Sequence, residues 1–280
     1  GLMVSVPLYL LFEISGIVPA IIITYLVSFL VFYLFSKTSS THHFEMPFKT
    51  LLNKSKAMLT LGFTLSFTSL ILTLTLWLIQ IFIRDLGGLE QVGYYAAGML
   101  IINAYVGMIF NAMATDYFPR LSAINKDNNA IQKVVNEQAE IAILLITPII
   151  TLFLLFKELI IQILYTPSFL VITGIVTFGI LGTLFKAVSF SLGYVIIAKG
   201  HSKVYIKTAI VFNILMLLIS VGSYKYGGLD GLGLGLLIYY FIHFLGIKWI
   251  NAHLYKLRLS KYTLYLLLIS CVICTSVYMA

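Results

Sequence analysis

Charge is scarce in this 280-residue chain. Asp, Glu, Lys and Arg make up 10% of it, where soluble domains carry about 25%. That deficit excludes an ordinary water-soluble fold, because 60% of the residues are apolar and a core of this length could not hide them. Catalytic signatures are also missing. The sequence has no P-loop, no H-E-x-x-H, no G-x-S-x-G and no metal-spaced carboxylate cluster. Its polar loops leave no room for an extramembrane catalytic domain, so no enzyme activity is expected. Cysteine is limited to Cys271 and Cys274. They form a C-x-x-C inside an apolar run, without the polar neighbours that a zinc or redox pair uses, and read as ordinary thiols, buried or facing lipid. No basic tract is interleaved with aromatics, so the net charge of +8 does not point to nucleic acid. No signal peptide is visible. The chain opens on Gly1 and closes on Ala280 within apolar runs, and is expected to be a piece of a longer protein.

Long apolar runs are what the sequence has in plenty. Mean hydropathy is +1.02, and crossing hydrocarbon takes about 20 residues. Eight spans are expected, at 4–35, 58–83, 94–115, 139–156, 169–198, 207–224, 229–250 and 262–280. Gly16 and Pro19 are expected to bend the first. The fold class that follows is an all-α polytopic transmembrane helix bundle. Fourteen of the 18 basic residues fall in the stretches 36–56, 116–138, 199–207 and around 248–261. The alternate loops hold only Arg84, Lys157 and Lys225, and Lys186 lies within a span. This alternation supports the span order and assigns the basic loops to the cytoplasm. Tyr and Trp near span ends, such as Tyr94, Trp249 and Tyr262, fit interfacial belts.

Small residues mark close helix approaches. Gly231 and Gly235 form a G-x-x-x-G, and Gly174, Gly179 and Gly182 thin one side of the fifth span. Thr60, Thr64 and Thr68 share a face of the second span. That face suits helix packing with hydroxyls bonded back to carbonyls, or the wall of a hydrated cavity.

Three ionisable groups lie deep within spans, away from their ends. Lys186 is mid-span, too deep to reach the interface, and needs water or a counter-charge. Either it forms an internal ion pair, with Glu13 as the mid-span acid, or it is a cationic group on a transport pathway. Glu13 is alternatively a proton carrier, and His243 is either a hydrogen-bonded packing residue or a proton-coupling group. Packed spans with buried charge and no catalytic set read as a transporter or channel.

One segment is more specific. Gly93-Tyr94-Tyr95-Ala96-Ala97 leads to Thr115-Asp116-Tyr117-Phe118-Pro119-Arg120-Leu121-Ser122. This resembles the "VGxYxAA … TDYYPRLS" pattern of Wzx-type O-antigen flippases, bacterial oligosaccharide-lipid translocases in the superfamily of MATE exporters and the lipid II flippase. Leu164-Tyr165-Thr166-Pro167-Ser168-Phe169, Gly193-Tyr194-Val195-Ile196-Ile197-Ala198-Lys199-Gly200 and Gly228-Leu229-Asp230-Gly231-Leu232-Gly233 resemble that family's "LYSPEF", "GYVLLAKG" and "GLEGLG". The resemblance covers about residues 87–237. It implies a 12–14-span, two-lobed transporter. Residues 1–36 would be the last helix of the N-terminal lobe, 37–57 a cytoplasmic loop, 58–250 a MATE-like six-helix C-terminal lobe, and 251–280 the start of a truncated terminal hairpin.

The implied activity is movement of an undecaprenyl-diphosphate-linked oligosaccharide repeat unit across the bacterial inner membrane by alternating access. No cofactor is implied, although a coupling ion, proton or sodium, would fit. The implied partners are the polyprenyl-diphosphate-linked glycan, membrane lipid and other polysaccharide-assembly membrane proteins. Lys186 is the residue placed to meet an anionic group. Asp116, Tyr117, Pro119 and Arg120 form a motif at the cytoplasmic end, where Pro119 is expected to turn the chain and Arg120 either pairs with Asp116 or holds a phosphate. A cation-coupled small-molecule exporter is the alternative within transport. A membrane-embedded sugar polymerase or glycosyltransferase predicts a large external loop that the sequence lacks, and a purely structural subunit leaves Lys186 without a role.

Overall fold

The computed structural model describes residues 2–36 and 47–279. The chain forms two compact units, Gly1–Ser55 and Lys56–Ala280.

In the N-terminal unit, α1 (Leu2–Phe12) and α2 (Ile17–Ser36) are joined by a 3-10 turn over Glu13–Gly16. The expected bend in the first span falls in this turn. Glu13 adopts φ +47, and the Gly16 backbone lies so close to the Leu8 carbonyl that a Cβ would strike it. Pro19 lies in the first turn of α2, where its missing N–H has no intrahelical partner to lose. Apart from Gly16 and Ala20, the described side chains of this bent span are exposed or half-exposed and overwhelmingly apolar, as a lipid-facing helix requires.

α3 (Phe48–Gly87) carries the chain into the C-terminal unit. There follow α4 (Leu89–Ala123), α5 (Asn128–Leu164), a 3-10 turn (Pro167–Ile172), α6 (Thr173–Ala198), α7 (Ser202–Tyr255) and α8 (Lys261–Met279). Among the described residues, seven helical segments are long and apolar enough to cross a membrane. The chain is therefore an all-α polytopic membrane bundle. α7 counts once in that total but is folded at Gly228, where φ is 56 and ψ −142. Gly231 lies against the Ser223 carbonyl, and Gly246 against the Phe212 ring. These contacts require the arms 202–227 and 229–255 to run antiparallel. They are the sixth and seventh expected spans, each longer than the roughly 20 residues that hydrocarbon demands. Gly228 occupies a backbone region that is essentially reserved for glycine. Gly228→Ala is expected to cost about 1–3 kcal/mol, read as a lower melting temperature in detergent. Gly227→Ala, at an ordinary φ and with nothing within 4 Å of the new Cβ, should change little.

Two expectations need correction. The polar stretch 116–138 is not a loop: α4 runs on to Ala123 and α5 begins at Asn128, leaving a link of four residues, 124–127. Asp127 caps α5, its carboxylate accepting from the Asn129 and Ala130 amides at 2.9 and 3.1 Å. The stretch is polar because the helices project past the apolar layer. Likewise, Pro119 does not turn the chain, for it sits inside α4 with one more turn after it. Its ring removes one hydrogen bond, to the Thr115 carbonyl, in a helix end that water can reach. Of the expected cytoplasmic loop, residues 37–46 lie outside the described residues, and the chain is helical from Phe48.

The linkers at one end of the bundle are bonded together. Asn128 donates to the Tyr255 carbonyl at 3.0 Å, Lys199 donates to the Asn128 side chain at 2.6 Å, and His201 meets the Tyr255 hydroxyl at 2.9 Å. Asn136 accepts from the Ser260 amide at 2.7 Å, and Glu140 accepts from Thr263 at 2.7 Å. Three of the four basic loops therefore share an end, as the charge alternation requires. α6 is the centre of the unit, packed against α4, α5, α7 and α8. Glycines allow its closest contacts: Gly233 lies against the backbone of Gly174 and Ile175, and Gly182 against Tyr240 and Leu237. Cys274 is buried, Cys271 is half-buried, and both are free thiols.

Candidate functional site: a cationic cavity between the helices

A cavity of about 730 Å³ lies within the C-terminal unit, between α3 and α4 on one side and α6 and α7 on the other. Its walls are mostly apolar and aromatic, with polar groups at separate points. Thr68 and Ser69 come from α3, Ser189 and Tyr194 from α6, and Tyr205, Thr208 and Asn213 from the first arm of α7. The threonine face of α3 combines the two readings open from the sequence. Thr60, Thr64 and Thr68 all donate to carbonyls four residues back, at 2.7–2.9 Å, and Thr68 also lines the cavity. Asn213 donates to the Ala209 carbonyl at 2.8 Å. Its Oδ1 is buried with no partner among the described residues, leaving an acceptor unused.

Lys186 and His243 both line this cavity. Lys186 is 12 residues from the end of α6, about 18 Å of helix, so it marks the deep end. Ile197, Phe118 and Tyr205 lie nearer the linkers of the basic end. The Lys186 ammonium stands over two rings, 5.6 Å from the Phe110 centroid and 5.4 Å from that of Tyr240. Ring faces attract a cation but do not neutralise it. Among the described residues no carboxylate lines the cavity, and Lys186 has no ion pair. His243 packs edge-on to Phe212 at 4.6 Å and against Tyr239 at 5.8 Å. Glu13 belongs to the N-terminal unit, in the strained 3-10 turn.

The motif after α4's apolar stretch divides by face. Tyr117 is fully buried, its hydroxyl donating to the Ser191 carbonyl at 2.7 Å and its ring packed with Phe190 and Tyr194. Its position among the interfacial aromatics concealed this role. Asp116 and Arg120 lie on the outer face, paired at 3.3 Å, with Glu137 at 3.8 Å from the guanidinium. Tyr117→Phe should cost about 1 kcal/mol through loss of its buried hydrogen bond to the Ser191 carbonyl, whereas Asp116→Asn, which touches an exposed pair, should cost no more than about 1 kcal/mol and often nothing measurable. Thermal melts of the two variants, run together, check the difference. Sequence reasoning also missed Tyr239, Tyr205 and Asn213, whose place on the cavity wall depends on the α7 fold at Gly228.

No curated protein and no solved structure matches the chain. The profile of a family described as polysaccharide biosynthesis protein matches residues 1–174, more than half of the 280. That region includes the Gly93–Ala97 and Asp116–Arg120 motifs, while Lys186 and His243 lie beyond it. This chain belongs to the polysaccharide biosynthesis protein family.

Proposed function

We propose that the protein is a flippase of the Wzx type, moving a polyprenyl-diphosphate-linked oligosaccharide between the leaflets of the bacterial inner membrane by alternating access. The observation that carries this reading is the cavity with an unpaired lysine at its deep end. A glycan bearing a diphosphate cannot enter hydrocarbon without losing its hydration. A wide cavity with scattered hydroxyls and amides offers partners to sugar hydroxyls, and its aromatic walls suit the apolar faces of sugar rings. Lys186 supplies positive charge where the diphosphate or an acidic sugar needs it. The protein carries its substrate and does not convert it. Membership of a polysaccharide biosynthesis family supports the substrate class. Alternating access would require a second lobe, of which residues 1–36 would be the last helix.

The test is depletion of the protein from cells that make the glycan. Lipid-linked glycan should accumulate, protected from glycosidase added outside spheroplasts. Normal external access of the glycan on depletion would sink the reading. Raised sensitivity to cationic dyes with normal glycan access would instead support the small-molecule exporter.

A further inference from the structure

A second, smaller cavity, about 420 Å³, lies at the end of α7 and is lined by Trp249, Ala252, His253, Lys256 and Arg258. It plays no part in the transport cavity. His243 and Ile247 line that one, whereas Phe241, Leu245 and Trp249 repeat every four residues on a different face of the arm. Each is two residues from His243 or Ile247, about 200° around the helix. All three are exposed, Trp249 most of all at 65%. Such a stripe points away from the cavity and toward lipid.

At its end the chemistry changes abruptly. The Trp249 indole stacks on His253 with centroids 5.3 Å apart and planes 9° from parallel. One turn later the helix stops at Lys256, which adopts the left-handed conformation with φ +58. The link that follows is fixed by its backbone: the Arg258 amide donates to Gln132 at 3.2 Å, and the Arg258 carbonyl accepts from Asn136 at 3.5 Å. Leu257 and Leu259 are buried, so Lys256 and Arg258 are both turned outward. No acidic residue occurs between 249 and 261, and neither cation has an ion pair among the described residues. Salt-bridge use of these charges is thus absent, while Arg120 and Lys133 nearby in the same end layer are both paired.

We infer that this cavity holds the headgroup of an anionic glycerophospholipid from the leaflet at the basic-loop end. The phosphate would lie between Lys256 and Arg258 beside the indole of Trp249, and an acyl chain along the Leu245 and Phe241 stripe. An amphipathic ring at headgroup depth, two free cations above it and an apolar track below match the three parts of such a lipid. A soluble phosphate would use the cations but not the track.

Trp249 is its own reporter. The full chain, with every other tryptophan including Trp77 replaced by Phe, is reconstituted in phosphatidylcholine bilayers. These are doped with a few mole per cent of dibrominated phosphatidylglycerol or dibrominated phosphatidylcholine. Each basic group near an anionic lipid is worth about fivefold in association, so brominated phosphatidylglycerol should quench Trp249 at a several-fold lower mole fraction. Lys256→Gln with Arg258→Gln should bring the two lipids to parity, and Lys256→Arg with Arg258→Lys should keep the preference. The fixing bonds of this link are made by backbone atoms, so these substitutions leave them in place, and the single Lys256→Gln and Arg258→Gln variants give the same reading should the double variant misfold. Equal quenching by both lipids in the unsubstituted site, or a preference untouched by the Gln variants, would overturn the inference. Loss of quenching on adding millimolar inorganic phosphate at constant ionic strength would also overturn it, in favour of a soluble anion.

Discussion

Replacing Gly233 by valine is expected to remove most of the protein from the membrane fraction. Gly233 is buried where the second arm of α7 crosses α6, and a Cβ there would sit 2.6 Å from the Ile175 Cα and 2.8 Å from the Gly174 carbonyl oxygen. Those are backbone atoms, so no side-chain rotation can relieve the clash. Overpacking a fitted contact costs about 1–3 kcal/mol when side chains can move, and more when they cannot. Against total stabilities of about 5–15 kcal/mol, that is a large fraction. The α6–α7 contact is also the most extensive in the unit, so the clash falls where the bundle depends most on close fit. Gly222→Ala provides the control: it lies in the same helix with nothing within 4 Å of the new Cβ, and should be neutral or slightly stabilising. Membrane abundance and melting temperature in detergent check both. A Gly233→Val protein with normal abundance and melting would show that the two helices separate at no cost.

Lys186→Ala should leave abundance near normal and abolish export of the lipid-linked glycan. The native ammonium lies over the rings of Phe110 and Tyr240 at 5.6 and 5.4 Å, contacts worth about 0.5–2 kcal/mol. Losing them should lower stability only modestly, since an uncompensated charge is removed with them. Losing a charge-assisted bond to phosphate, by contrast, removes about 1.5–3 kcal/mol, roughly ten- to a hundredfold in apparent substrate affinity. Lys186→Arg keeps the charge with a different geometry and should retain part of the activity. A purely structural lysine, paired with Glu13, gives another pattern: Lys186→Ala lowers abundance, and Glu13→Gln added to it restores the protein, because one buried charge alone is worse than none. Wild-type export by Lys186→Ala at normal abundance rejects the substrate role. The assay is external access to lipid-linked glycan in cells producing each variant at matched levels.

The spans were legible in the sequence because bilayer thickness imposes one length on every apolar run. The break at Gly228 was legible for a related reason: Lys225, Asp230 and the glycines interrupt a run that hydrocarbon would otherwise continue. Helix ends beyond the membrane were not. Residues 116–138 are polar because they meet water, and polarity alone does not distinguish a loop from a helix that has left the bilayer. Asp127, a good N-cap residue, was the available signal. Pro119 misled because it lies in the last turns of α4, where the Thr115 carbonyl that loses its partner is within reach of water. Tyr117 shows a different gap. Its sequence neighbours Asp116 and Arg120 face outward, and only helical phase places it inward against Ser191. The cavity wall was the least legible part, since α3, α4, α6 and both arms of α7 contribute to it. Lys186 could be singled out by the cost of its charge in lipid; Asn213 and Tyr205 carry no such mark.

α6 also bears on how the chain is made. α4 and α5 touch each other far less than each touches α6, which is translated after both. When α5 has left the ribosome, the inward face of α4 has no completed surface to meet, and the buried Gln138 and the Tyr117 hydroxyl lack their final surroundings. Two inserted helices must therefore wait, side by side in the bilayer, for the third to arrive and join them. Insertion of this bundle is then not a series of independent crossings. It has a point of commitment at α6, after which the hairpin of α7 can close onto a finished face.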